Sequence, residues 1–236
     1  MATHAGNLVN AFVRALAIAL LLGMTLLGSG AVLHPMLTGT AEAQLRTMAD
    51  TPWWRTIHLV MLAGSGLVIA GIWVRLVADT APPDRARAGG PGSATTGALI
   101  AALGLVALGL ALNALNIGFM AGAGTRMAEQ FAAGRTDVAP VFDVTHPIGL
   151  IAARFGNFIV SLGALALGWL EWSDPSRPRW LAWLAWAAAA GGFVGVFVFD
   201  EASKLTLAAV ALLSAWELAT AVRALRSPLG VPRQAP

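Results

Sequence analysis

The sequence predicts an all-α fold, a polytopic bundle of about six transmembrane helices with short amphipathic surface helices on the outer side. Three observations carry this. The 236 residues are 57% hydrophobic and only 11% charged, against about 25% charged in an ordinary soluble domain. The apolar residues fall in runs of the length that crosses a bilayer, about 20 residues each. The segments between those runs hold most of the proline and charge. One integral membrane domain over 1–236 accounts for the whole chain.

Spans are expected near 9–33, 55–78, 96–121, 147–170, 180–199 and 205–222. The first ends at His34-Pro35, because proline cannot continue a helix. Its apolar stretch also has signal-peptide character, with a small-residue triplet at Ala41–Ala43. The stretch is longer than a typical signal core and lies far from that triplet, so an uncleaved span is the preferred reading. The second span opens with Asp50 or Thr51 at the cap and Pro52 at the first helical position, where no N–H is needed. The fourth opens in the same way, with Thr145 or His146 before Pro147. The apolar stretch from Trp180 to Val222 is too long for one span, and its only internal charge cluster, Asp200 to Lys204, marks the turn.

The connections differ in kind. Residues 38–50 and the first half of 123–145 pattern as surface helices, the latter followed by an extended piece. Residues 78–96 form a Pro- and Gly-rich loop, and 171–180 a short polar turn flanked by tryptophans. Six spans place both termini on one side. Arg14, Arg75, Arg85, Arg87, Arg177, Arg179, Arg223, Arg226 and Arg233 fall on that side and outnumber the basic residues opposite. The positive-inside rule therefore sets the termini in the cytoplasm of an inner, cytoplasmic-type membrane. No basic cluster points to nucleic acid. The absence of cysteine removes disulfides, thiolate ligands and iron–sulfur clusters.

With this topology His34, His58 and His146 share one layer near the outer face. His58 lies about 9 Å along its helix from Pro52, and Arg154 about 12 Å along its helix from His146. Asp143, Asp200 and Glu201 join the layer. Imidazole suits zinc, copper and haem iron. One reading is therefore a metal site of His34, His58, His146, Asp200 and Glu201, or a haem b site using His58, His146, Trp54 and Arg154, serving electron transfer. The plainer reading is interfacial: histidine-proline pairs are ordinary helix boundaries, and no two histidines have the four-residue spacing of a helical metal motif.

A polar seam extends inward. Ser65 lies on the face of His58, Asn157 on the face of His146, and Asn113 and Asn116 about one turn apart on the third span. Such groups make either a conduction path or interhelical hydrogen bonds. Three functions follow as expectations. The first is a haem- or metal-binding redox protein. The second is a non-catalytic accessory subunit of a larger respiratory or photosynthetic membrane complex, or a homo-oligomer. The third is a small-molecule or ion permease. In each, the lipid bilayer is a partner.

Overall fold

The computed structural model describes residues 2–80, 93–198 and 204–226, and these residues form helices and turns without a strand. The helices are α1 (Ala2–Leu33), α2 (Ala41–Ala49), α3 (Trp54–Gly71), α4 (Val74–Thr80), α5 (Ser93–Phe119), α6 (Thr125–Ala132), α7 (Val138–Ser173), α8 (Arg179–Val198) and α9 (Lys204–Arg226). A π-helical turn, Met120–Gly124, joins α5 to α6. Among the described residues, five helical segments are long and apolar enough to cross a membrane: Leu8–Leu33, Trp54–Ala78, Ala94–Ala132, Val138–Ser173 and Arg179–Phe197. The expected sixth span, 205–222, lies within α9. The turn expected at Asp200 to Lys204 falls largely outside the described residues, which exclude Asp200 and Glu201.

The long helices pack on one another in chain order: α1 on α3, α3 on α5, α5 on α7, α7 on α8, and α8 on α9. Packing of α9 against α1 closes the ring. Apolar residues from every member fill it, among them Val13, Leu20, Val68, Leu103, Val106, Leu167, Leu181 and Trp216. Apolar burial drives association weakly between helices in lipid, so close contact matters more. At Gly109 and Gly156 the backbones of α5 and α7 approach so closely that a Cβ on either glycine would meet the other's carbonyl oxygen.

A second, separate core caps one end of the bundle. It joins Ala41, Leu45 and Met48 of α2 to Trp54, Met120, Ala128, Val138, Ala139 and Phe142. The sequence explains α2 locally. Thr40 caps it, its hydroxyl accepting from the Ala43 N–H at 3.4 Å, and positions 41, 45 and 48 lie on one face.

Three expectations about helix boundaries are corrected here. Asp50 and Thr51 do not open the second span. Asp50 is the C-cap of α2, and the span begins at Trp54, after a turn containing Pro52. His146 does not cap the fourth span: α7 is helical from Val138, with Pro147 inside it. Nor is there an extended piece ahead of it, since residues 138–145 belong to the same helix. An internal proline costs a hydrogen bond, but a helix packed against neighbours tolerates it. Here Ala139 and Phe142, on the turns before Pro147, are buried in the cap core and hold those turns helical. The surface helix α6 likewise continues the third span through the π turn, where the Thr125 hydroxyl donates to the Met120 carbonyl at 2.8 Å.

Candidate functional site

The junction between bundle and cap brings two of the histidines together. Leu33 ends α1, and His34 follows it. One turn into α3, His58 is only 2% exposed. The two Nε2 atoms lie 3.1 Å apart, with ring centroids at 4.8 Å and planes at 72°. The Nδ1 of His58 lies 2.9 Å from the Trp54 carbonyl oxygen, one turn back on the same helix. A carbonyl only accepts, so Nδ1 of His58 carries the proton. In the neutral ring Nε2 is then an acceptor, and His34 donates to it through its own Nε2–H. Among the described residues neither histidine forms an ion pair with a carboxylate. Burial, joined by the proximity of His58, pushes the His34 imidazole down to about 4.

Trp54 completes the pair's surroundings. Its indole lies 4.8 Å from the His34 ring and 4.5 Å from the His58 ring, centroid to centroid. Its Nε1 is buried without a hydrogen-bond partner among the described residues. Trp54 also lines a cleft of about 160 Å³ in the cap, together with Met48, Thr51, Arg55, Thr125 and Glu129.

The other residues singled out in the sequence lie as follows. His146 is 8% exposed and stacks on Phe142, at 4.7 Å between centroids and 26° between planes. Arg154 is half-buried on α7. Among the described residues, no three histidine or carboxylate side chains gather to hold a metal ion. Asp200 and Glu201 fall outside those residues. In the seam, Asn113 donates from Nδ2 to Asn157 Oδ1 and to the Gly109 carbonyl, both at 3.1 Å. This couples α5 to α7. Ser65 donates to the Met61 carbonyl of its own helix at 2.9 Å. Asn116 directs its Oδ1 against Gly149 on α7.

A second buried polar cluster sits at the opposite end of the bundle. Glu171, fully buried, meets Arg75 at 2.8 Å and Arg177 at 3.4 Å. Arg177 also meets Asp174 at 3.3 Å. The adjoining Trp172 packs with Trp183 and Trp186 and carries the Arg179 guanidinium 4.4 Å from its ring centroid. No motif in the sequence links Arg75 to Glu171. The only available signal is that each stands at a span end beside a tryptophan.

Comparison with protein-family models, with curated proteins and with solved structures gives no match to this chain. What the findings define is an all-helical protein with several apolar helices fit to cross a membrane.

Proposed function

We propose that this integral membrane protein binds a transition-metal ion at its outer face, with His34 and His58 as ligands. The observation that carries the reading is the convergence of two Nε2 atoms to 3.1 Å at a buried helix junction. Two nitrogens each about 2 Å from one metal, at a roughly right-angled or tetrahedral angle, stand about 3 Å apart. The His58 Nδ1–H held by the Trp54 carbonyl is the kind of outer contact that fixes a ligating imidazole's tautomer and orientation. Axial ligands on opposite sides of a haem iron stand farther apart, about 4 Å by the same bond length. The pair therefore favours an ion over a haem clamped between these two rings. His34 gives up its Nε2 lone pair to a metal once its proton moves to Nδ1, a tautomer shift that leaves the ring neutral. Of the histidines and carboxylates expected to bind metal, this reading uses His34 and His58 and not His146, Asp200 or Glu201, and it sets the termini in the cytoplasm of a cytoplasmic-type membrane.

The test is metal analysis of protein purified in mild detergent, with oxidised and dithionite-reduced spectra of the same sample. One metal ion per chain is expected, lost in His34→Ala and in His58→Ala while both variants keep the wild-type elution profile. Metal-free protein that takes up none on titration would end the reading. A reducible Soret band would replace it with haem.

A second reading, an accessory subunit of a larger membrane complex, draws support from one face of α7. Val141, Val144, Ile148, Ile151 and Phe155 are all more than half exposed, in a stripe repeating every three or four residues. Lipid covers such a stripe equally well, so co-purification of a stoichiometric partner from native membranes is the deciding observation.

A further inference from the structure

Resting on the metal-binding reading, we infer that Met61 supplies a thioether as third ligand, and that the site therefore selects monovalent copper over zinc. Met61 follows His58 by three residues, which places it on the same face of α3, about 4.5 Å further along the axis. Gly30 precedes His34 by four residues on α1. Met61 packs against Gly30: a Cβ at Gly30 would overlap Met61 Cγ and lie 3.2 Å from its Sδ. The Met61–Gly30 contact is thus the layer directly beneath the His34–His58 contact, in the same α1–α3 seam.

Helical side chains lean toward the N-terminus of their own helix. For Met61 that direction is toward His58. Methionine has three rotatable bonds and fills irregular gaps, and the missing side chain at Gly30 leaves the space that the Met61 side chain occupies. The seam closes above with Trp54, whose indole touches both imidazoles.

The donor set decides the metal. Zinc takes cysteine, histidine and carboxylate. Thioethers are soft donors and select monovalent copper. The chain has no cysteine, and neither histidine of the pair meets a carboxylate among the described residues. Two neutral imidazoles and one thioether bring no negative charge, which suits a singly charged ion in a buried seam better than a doubly charged one.

The experiment titrates full-length protein in detergent micelles with copper(I) under anaerobic conditions, against a chromophoric copper(I) chelator, and with zinc(II) in parallel. X-ray absorption of the copper-loaded wild type accompanies it. The expected result is one copper(I) per chain, bound more tightly than zinc, with sulfur scattering beside nitrogen. Met61→Leu, a near volume-preserving change, is expected to weaken copper(I) by about tenfold or more, a loss even outer-shell partners can cause. Zinc binding is expected to stay unchanged. Met36→Leu, an exposed thioether two residues past His34, is expected to leave both affinities alone.

Nitrogen-only scattering in the wild type, or copper affinity unmoved by Met61→Leu but abolished by His58→Ala, would overturn the inference and leave the histidine site standing. Wild-type protein that binds neither ion would overturn the underlying reading as well. The scattering measurement needs no variant, so a poorly folding Met61→Leu does not remove the test.

Discussion

The two ends of the bundle bury polar groups in opposite ways. At one end Glu171 lies between Arg75 and Arg177, so a fully buried carboxylate meets opposite charge on both sides. At the other, His34 and His58 meet as like groups, and protonating both would set two positive charges side by side. The first arrangement is an ion-pair cluster that links α4 to the end of α7. The second is held together by one shared proton and keeps donor capacity for something else. A buried carboxylate held between opposite charges is a staple, whereas two neutral imidazoles that meet through one proton can turn both Nε2 lone pairs to a ligand by a tautomer shift.

The largest expected effect separates these roles. Glu171→Ala removes the buried carboxylate that Arg75 and Arg177 share. Breaking such a pair costs about 3–5 kcal/mol, seen as a lowered midpoint of thermal unfolding in detergent. Removing Arg75 as well, with Glu171→Leu and Arg75→Met, is expected to recover part of that loss, because the more deeply buried guanidinium goes with its partner and Arg177 keeps its contact with Asp174. A single-variant loss below about 1 kcal/mol, the range of exposed pairs, would break the comparison at this end.

The histidine end is expected to respond to pH. Unfolded, His34 takes up a proton as pH falls through 6.5; folded, it stays neutral down to about 4. The unfolded chain therefore binds more protons between those values. Stability is complete above about 6.5, falls as the pH drops toward 4, and levels off below. With allowance for partial exposure of the ring, the drop is about 2 kcal/mol. Unfolding midpoints measured across this window should flatten in His34→Gln. A wild-type profile already flat from pH 7 to 4 would show that the pair carries no such asymmetry.

The smallest effect sharpens the comparison in between. Asn113 and Asn157 bridge α5 and α7 through one neutral hydrogen bond. Asn113→Leu is expected to cost about 0.6–2 kcal/mol, the range for interhelical bonds in membranes. A double-mutant cycle with Asn157→Leu measures the coupling directly. A coupling energy of zero would mean that each amide finds another partner.

The helical membrane class was legible in the sequence because composition and run length decide it without reference to neighbours. Too few charges and spans of sufficient length leave no other fold class. The placement of His34 and His58 at one level was legible for the same reason, since both positions follow from helix ends and a fixed rise per residue. Their direct contact was not. It depends on α1 and α3 being neighbours and on the rotation of each helix about its axis, which only packing sets. Local signals also misled where tertiary contacts outweighed them. Pro147 reads as a helix start, yet α7 runs through it, because Phe142 and Ala139 gain a buried cap core by staying helical. Asp50 reads as the start of one helix and serves as the end of another.

Composition and run length, read from the chain alone, thus gave the helical membrane class, the approximate positions of five apolar spans and the common level of His34 and His58. These rest on hydropathy and helical rise, which are properties of the chain one segment at a time. Only the tertiary structure decided which side chains meet: His34 with His58, Glu171 with two arginines, Asn113 with Asn157, and Met61 against Gly30. Such pairings join residues distant in sequence, and their geometry exists only once the helices have chosen neighbours and turned particular faces toward them.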